Sequence, residues 1–391
     1  MKRGENFDYV IVGGGSAGCV LAARLSEDPD VRVLLLEAGG PDWHPYIQIP
    51  LGVGRIRQKG LFDWGYLSEP QSNLGNRVIE LKRGKVLGGS SSINFMAHNR
   101  GSRGDYQRWE RLGVTDWSYD KLLPYFKRLE TWHGGTAEHR GDAGPVGITY
   151  TCQGDPIGLA VLESARAAGH PIFDDINGPE PLGFGLAQSA IDGGRRSSAS
   201  RAYLRPVRSR RNLTVRTRAL STRILFERKV AAGIQYSHGG SVHKVRADRE
   251  VILCGGAFIS PQLLLLSGIG NASELNRLGI ECVQHLPGVG ENLQDHLSIP
   301  LEYRRIGEES PLHRMLRADR LIPALANAIF AGKGTATVLP GGVNAILRSR
   351  PGSEPADLQV LFGAGALEAK PWFPGFNEWK DLFYLRPIVS R

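Results

Sequence analysis

The sequence predicts an α/β fold: a Rossmann-type dinucleotide-binding unit at the N-terminus, and a second domain. Three observations lead there. The stretch "YVIVGGGSAGCVLAARL", Tyr9 to Leu25, reads as a strand, a glycine turn and a helix. A second strand, glycine and helix passage, "REVILCGGAFISPQLLLLSGIG", spans Arg249 to Gly270. The chain has 391 residues, more than one ordinary core holds, so two domains are expected.

The first strand is "FDYVIVGGG", a run of aromatic and β-branched residues that ends in glycine, as a buried parallel strand does. Gly13, Gly15 and Gly18 match G-x-G-x-x-G. The first permits the tight turn, the second lets backbone approach a pyrophosphate, and the third lets the helix press on the sheet. Backbone N–H groups at the start of "SAGCVLAARLSED" then face the phosphates. The second strand, "VRVLLLEAGG", carries Glu37 nineteen residues after Gly18. That is the spacing of an acid that grips a ribose hydroxyl. Both NAD and FAD have that ribose diol, so these residues leave the choice between them open.

"PDWHPYIQIPLGVGRIRQKGLFDWGYLSEP" is rich in Pro, Gly and aromatics and has poor periodicity. It reads as an excursion over the ligand, with Trp43, Trp64 and Tyr66 as packing anchors. In "RGKVLGGSSSINFMAHNRG", Arg83 to Gly101, Gly88 and Gly89 precede three serines. Such a loop lies flat against a planar ring and offers donors to its edge, with Asn94 adding a two-way side chain. The bland alternative is a plain Gly/Ser turn. In the Arg249–Gly270 passage, Ser260 is expected as the N-cap and Pro261 as the first helical residue. The leucines 263–266 are expected in the core, with Gly268 closing the helix. "IPALANAIFAG", Ile322 to Gly332, is expected to be a packed helix.

The composition is that of a globular protein, 41% hydrophobic and 22% charged, which excludes a disordered chain. Net charge is +9, and Arg195 to Arg218 hold nine arginines. No aromatic ladder or nucleic-acid motif accompanies them, so the run reads as a solvated face with some attraction for a diphosphate. Cys19, Cys152, Cys254 and Cys282 are scattered with no CxxC pair, which suits free thiols in a reducing compartment. The N-terminus lacks the apolar run of a secretory signal. No stretch reaches the ~20 apolar residues of a membrane span. A cytoplasmic location is expected, with peripheral membrane association left open.

Three stretches carry a resemblance. "GKVLGGSSSIN" and "GAFISPQLLLLSGIG" resemble the two signatures of the glucose–methanol–choline (GMC) family of FAD-dependent oxidoreductases, and "GVGENLQDH", Gly288 to His296, resembles a third shared stretch. "RGSRGDYQRWERLG" and "WSYDKLLPYFKRLE" are similar to the choline and alcohol dehydrogenases of that family. The resemblance runs over residues 6 to 391 and implies flavin. The implied fold is an FAD-binding Rossmann-like domain, residues 5–155 and 205–300. It interleaves with an α+β substrate domain, residues 156–204 and 301–391. By resemblance, Gly13, Gly14, Gly15, Ser16 and Ala17 contact the FAD diphosphate and Glu37 the adenosine ribose. Val86, Gly89, Asn94, Phe95, Met96 and Ala97 lie along the flavin and its diphosphate, and Val215 meets the adenine. Ile93 stands where some relatives carry a histidine bonded to the flavin, so the FAD is expected to be noncovalent.

The implied reaction moves hydride from the CH–OH carbon of an alcohol, choline or another primary alcohol, to the flavin. The dehydrogenase-like character points to a respiratory carrier as electron acceptor. The family's base is a histidine in a His-Pro-x-Gly-Thr motif, which is absent among the ten histidines here. The catalytic residue is therefore unassigned. His98 is a weak candidate for substrate contact, and His296 is expected to be structural or near the diphosphate. The chain stops where family members continue, so the alternative is a truncated flavin-binding protein without turnover. A nicotinamide dehydrogenase is the third reading, disfavoured by the two later signatures.

Overall fold

A computed structural model describes residues 6–135, 138–151, 154–179, 181–339, 341–350, 352, 356–364 and 369–389. Cys152 lies outside the described residues. The chain divides into two compact units. The first comprises Met1–Ile47, Arg55–Asn94 and Ser198–Gln294; the second comprises Gln48–Gly54, Phe95–Ser197 and Asp295–Arg391.

The first unit is built on one mixed sheet. Strand β1 (Asn6–Val12) runs into helix α1 (Ser16–Leu25) and then β2 (Val33–Leu36). After a long excursion come β3 (Leu213–Arg216), β4 (Leu220–Glu227), β5 (Val230–His238) and β6 (Ser241–Leu253), followed by helix α2 (Gly256–Leu266). The strand order is β3-β2-β1-β6-β5-β4. The first three pairings are parallel and the last two antiparallel. Val10 and Ile11 in β1 and all of β2 are buried, which is why both read as uninterrupted apolar runs. Gly239 and Gly240, both at positive φ, make the two-residue turn between paired His238 and Ser241. Helix α1 buries Gly18, Cys19, Ala22 and Ala23, a face of small residues that brings its axis close to the sheet.

Several expectations change here. Helix α2 begins at Gly256, so Pro261 lies inside it and Ser260 is not its N-cap. A proline removes only one i−4 bond, to Ala257, and the opening turns of a helix tolerate that loss better than its middle. Gly268 does follow the helix in left-handed conformation, φ +88°. The arginine run is not uniformly solvated. Arg210 donates to the Ala23 carbonyl at 2.6 Å, and Asn212 donates to the carbonyls of Ser26, Asp28 and Val31. The Arg210 bond reaches a carbonyl in the last turn of α1, and the Asn212 bonds hold the loop that follows it. Arg196, in the second unit, is buried, and burial pushes its guanidinium down to about 9.

The second unit is α+β. Its main sheet runs Leu297–Ser298, Leu382–Val389, Leu358–Ala364, Val343–Leu347, Gly183–Leu186 and Ile172–Phe173, with Leu301–Arg304 also paired to Leu382–Val389. Helix Pro156–Ala167 lays Val161, Leu162 and Ala165 on Phe184, Val343 and Ala345. Residues 95–155, expected with the first unit, pack in the second. Strand Glu130–Trp132 pairs with Val146–Tyr150, which pairs with Gln188–Ser189, and Ala97 bridges Ser189. The expected helix near Ile322 spans Ala318–Ala331; Ala328 is buried, while Ile322 and Phe330 face solvent. Among the described residues no helix is long and apolar enough to cross a membrane.

Candidate dinucleotide-binding site

A cavity of about 450 Å³ opens in the first unit at the carboxyl ends of its parallel strands. Val12, Gly13, Gly15, Ser16 and Ala17 stand at the end of β1, Glu37 and Ala38 follow β2, Ala219 to Ser221 come after β3, and Cys254 to Ser260 follow β6. Ligands of open parallel sheets sit at this edge.

The floor is a stack of backbones. A Cβ on Gly13, φ +100°, would stand 2.5 Å from the Cys254 carbonyl oxygen. One on Gly18 would stand 2.0 Å from the Gly13 carbonyl oxygen. Gly89 presses on Gly15, and Gly84 presses on Gly89, each closer than any side chain allows. Gly15 differs. Its φ is −78°, and a Cβ there would meet its nearest neighbours at an ordinary 3.9 Å. A methyl group would fit there without a clash. Helix α1 begins there with no side-chain cap and no acid in its first turn, and Ser16 and Ala17 are exposed on the cavity wall. The free N–H groups and the helix dipole suit an anion. The residues present therefore accommodate a diphosphate.

Glu37 is buried, 5% exposed, and both of its oxygens are engaged. Oε2 accepts from Gly14 N at 2.8 Å and Oε1 from Gly39 N at 2.7 Å. Burial raises its pKa; the two amides and Lys85 oppose that. One carboxylate thus ties the glycine turn to the end of β2, and its remaining lone pairs can accept further hydrogen bonds. Cys19 donates to the Gly14 carbonyl at 3.2 Å, and burial pushes its thiol pKa up.

The excursion supplies an aromatic wall. Trp64 lines the cavity and stacks on Tyr66 at 5.7 Å with nearly parallel planes; Lys85 lies 4.5 Å over Trp64. Trp43, expected as an anchor, is 69% exposed, with Arg208 over its ring. Its place in a loop beyond β2 gives it no core to enter.

The structure gathers Gly13, Gly15, Ser16, Ala17, Glu37 and Gly89 around one cavity. Gly14 is bonded to Glu37 behind it. Other proposed residues lie elsewhere. Val86 is fully buried among Ile47 and Ile56, and half-buried Ile93 packs on the same cluster. Val215 is paired with Leu35 on edge strand β3 and is not on the cavity wall, where Ala219 to Ser221 stand at that end. Asn94 is exposed at the end of a first-unit segment. Phe95, Met96 and Ala97 belong to the second unit, where Met96 is buried with Val53, Ile191 and Leu339. Sequence reasoning missed Arg83, Gly84 and Ala219 to Ser221. The rule of strand carboxyl ends points to the last three once β3 is known to pair with β2.

His98 is engaged in the second unit. Its Nε2 lies 3.2 Å from Glu130 Oε2, and Glu130 also receives Arg100 at 2.7 Å and Arg140 at 2.6 Å. Burial raises the Glu130 pKa. The bonds from His98 and Arg140 and the charges of Arg100 and Arg140 outweigh it, leaving the carboxyl at about 2. His296 is exposed and away from the cavity wall.

Residues 7–298 match the family model of the GMC oxidoreductases. The chain belongs to the GMC oxidoreductase family. It is 42% identical to human mitochondrial choline dehydrogenase over 370 residues, 92% of this chain and 61% of that protein. It is also 42% identical to the oxygen-dependent choline dehydrogenase of Chromohalobacter salexigens, over 93% of this chain and 66% of that one. The chain thus spans less than two thirds of the length of these GMC relatives. Among solved structures, a pyridoxine 4-oxidase from Mesorbium loti superposes with a TM-score of 0.81 at 30% identity, covering 98% of this chain and 71% of that one. A formate oxidase superposes at 0.85 and 25% identity, covering 100% and 73%. The mixed α/β architecture is that of the GMC flavoproteins.

Proposed function

We propose that the chain is an FAD-dependent oxidoreductase that oxidises the CH–OH group of a small alcohol, choline or another primary alcohol. The observation that carries the flavin half is the cavity of the first unit. An uncapped helix start, an open Gly15 and a ribose acceptor at Glu37 converge there in a chain of GMC type. Gly13 to Ala17 hold the diphosphate, Glu37 the ribose, and Gly89 the flavin side. Val215, on edge strand β3, meets the adenine. Similarity to two choline dehydrogenases supports the substrate class. Bound flavin supplies the redox chemistry by accepting hydride. The protein's part is to bind, to orient and to keep the diphosphate on backbone donors. Ile93 offers no atom for a covalent link, so the FAD is noncovalent. We place the protein in the cytoplasm, with a respiratory carrier as acceptor, on the free thiols of Cys19, Cys254 and Cys282 and the dehydrogenase-like sequence.

The test has two steps. The purified protein is expected to show a flavin spectrum, and anaerobic addition of choline or primary aliphatic alcohols is expected to bleach it. A colourless protein that takes up no FAD overturns the flavin reading. Bound FAD that no alcohol reduces overturns the oxidoreductase reading for this chain.

A further inference from the structure

We propose that Arg83 supplies the counter-charge to the dinucleotide's diphosphate, held in position by the ring of Phe258. The inference rests on the dinucleotide reading of the first-unit cavity. It starts from a charge imbalance. A diphosphate carries two negative charges, and the start of α1 contributes only about half a positive charge. Arg83 and Glu37 are the charged side chains among the described residues that line the cavity. Glu37 brings no positive charge and is already bonded to two amides. Arg83 is the cation on the cavity wall that can supply the remaining charge.

Backbone contacts place Arg83 on the diphosphate side. Gly15 touches Gly89, and Gly89 touches Gly84, whose N–H donates to Ser90 Oγ at 3.1 Å. Arg83 is the next residue. On the opposite wall Gly13 touches Cys254, and Phe258 follows four residues later in α2. The Arg83 guanidinium carbon lies 4.5 Å from the centre of the Phe258 ring. That contact completes a circuit around the cavity: Gly13, Gly15, Gly89, Gly84, Arg83, Phe258, Cys254.

The geometry leaves the guanidinium available. The guanidinium lies over the ring, a contact that leaves its N–H groups free to donate elsewhere. Nη1 donates to the Lys82 carbonyl at 2.8 Å. No carboxylate pairs with the Arg83 side chain among the described residues. Of five N–H donors at least one edge remains for a ligand. An arginine held on an aromatic face has less freedom to lose when it binds, and its planar fork matches phosphate oxygens.

The experiment compares ADP with adenosine as displacers of FAD from the flavin-loaded protein, read by fluorescence of released flavin. Each variant is judged by its own ratio of ADP to adenosine potency, so a general change in FAD affinity cancels. Arg83→Gln is expected to lower that ratio roughly 10- to 100-fold, the range of a charge-assisted hydrogen bond. Arg83→Lys is expected to fall between Gln and the parent, because it keeps the charge and loses the fork. Phe258→Leu is expected to lower the ratio a few-fold, as roughly expected from loss of a partly exposed cation–π platform. An unchanged ratio in Arg83→Gln overturns the inference, and so does an equal loss for ADP and adenosine. If Arg83→Gln does not fold, the ratios of Arg83→Lys and Phe258→Leu decide by the same criterion. If the unsubstituted protein takes up no FAD, the dinucleotide reading fails first and this inference with it.

Discussion

Gly13 and Gly15 stand two residues apart in one turn, and the structure assigns them different reasons for being glycine. At Gly13 the backbone is left-handed, φ +100°, and a Cβ would enter the Cys254 carbonyl. Left-handed backbone alone costs an L-residue about 1–2 kcal/mol, before any steric clash. At Gly15 the backbone is extended, φ −78° and ψ −161°, with 3.9 Å to the nearest atoms. Alanine at such a site stabilises the fold by about 0.4–1 kcal/mol, because the unfolded chain loses freedom. Gly15→Ala is therefore expected to be as stable as the parent or slightly more so, and Gly13→Ala to unfold at a clearly lower temperature. FAD binding should invert this order of tolerance. A methyl group on Gly15 projects beside the start of α1 and keeps the diphosphate off its N–H groups. Losing one or two charge-assisted bonds at about 1.5–3 kcal/mol each weakens FAD at least tenfold. Circular dichroism of ligand-free protein gives the first quantity, and titration of flavin fluorescence gives the second. If Gly15→Ala binds FAD as the parent does, the space above it is not where the diphosphate lies. If it unfolds as Gly13→Ala does, the glycine serves the fold and the site assignment loses its main support.

Glu37→Ala is expected to lower both stability and FAD affinity, since it strips the Gly14 and Gly39 amides of their acceptor as well as the ribose. Each loss is about 1–3 kcal/mol, and a variant with full flavin and unchanged stability refutes the role. Acid or heat precipitation is expected to release all flavin colour to the supernatant, because Ile93 cannot bond to it; colour retained in the pellet refutes noncovalent binding. Glu130 sits at about 2 when folded against an ordinary 4.5. A lowered carboxyl pKa stabilises the fold above the unfolded value and is lost as pH falls through the folded one. Stability should therefore drop between pH 4.5 and about 2, by on the order of 3 kcal/mol from this group. Urea unfolding should show a flatter slope for Glu130→Gln in that window, and identical slopes would exclude Glu130 as the source.

What was legible in the sequence was local. β1, the glycine turn, α1, β2 and Glu37 follow one another within 32 residues, and their periods and spacings are set by neighbours along the chain. The opposite wall is not local. Ala219 to Ser221 reach the cavity because Leu213 pairs with Val33, and Cys254 because β6 lies beside β1. Strand periodicity says that a strand is buried, not which strand lies next to it. Arg83 was quoted in a motif, yet its stacking partner is 175 residues away. Ser260 and Pro261 misled because a good cap and a good first residue are signals of helix starts in general, and the helix had started at Gly256.

His98 and Glu130 show the same limit in the chemistry. Adjacency to the Gly89–Asn94 loop made His98 a candidate for substrate contact. In the fold its ring meets Glu130, its N–H donates to the Gln188 carbonyl at 2.9 Å, and its own carbonyl accepts from Asn177 at 3.1 Å. Arg100 N donates to Asn177 Oδ1 at 2.6 Å, and Arg140 reaches Asp175 and Gln188. Every member is held by groups distant in sequence, so the cluster fixes the course of residues 98–100 through both side chain and backbone. A general base needs a pKa near the operating pH. A carboxylate held at about 2 by two guanidinium groups has too little proton affinity to take a proton from an alcohol. Glu130 is an anchor, and His98 is part of what it anchors.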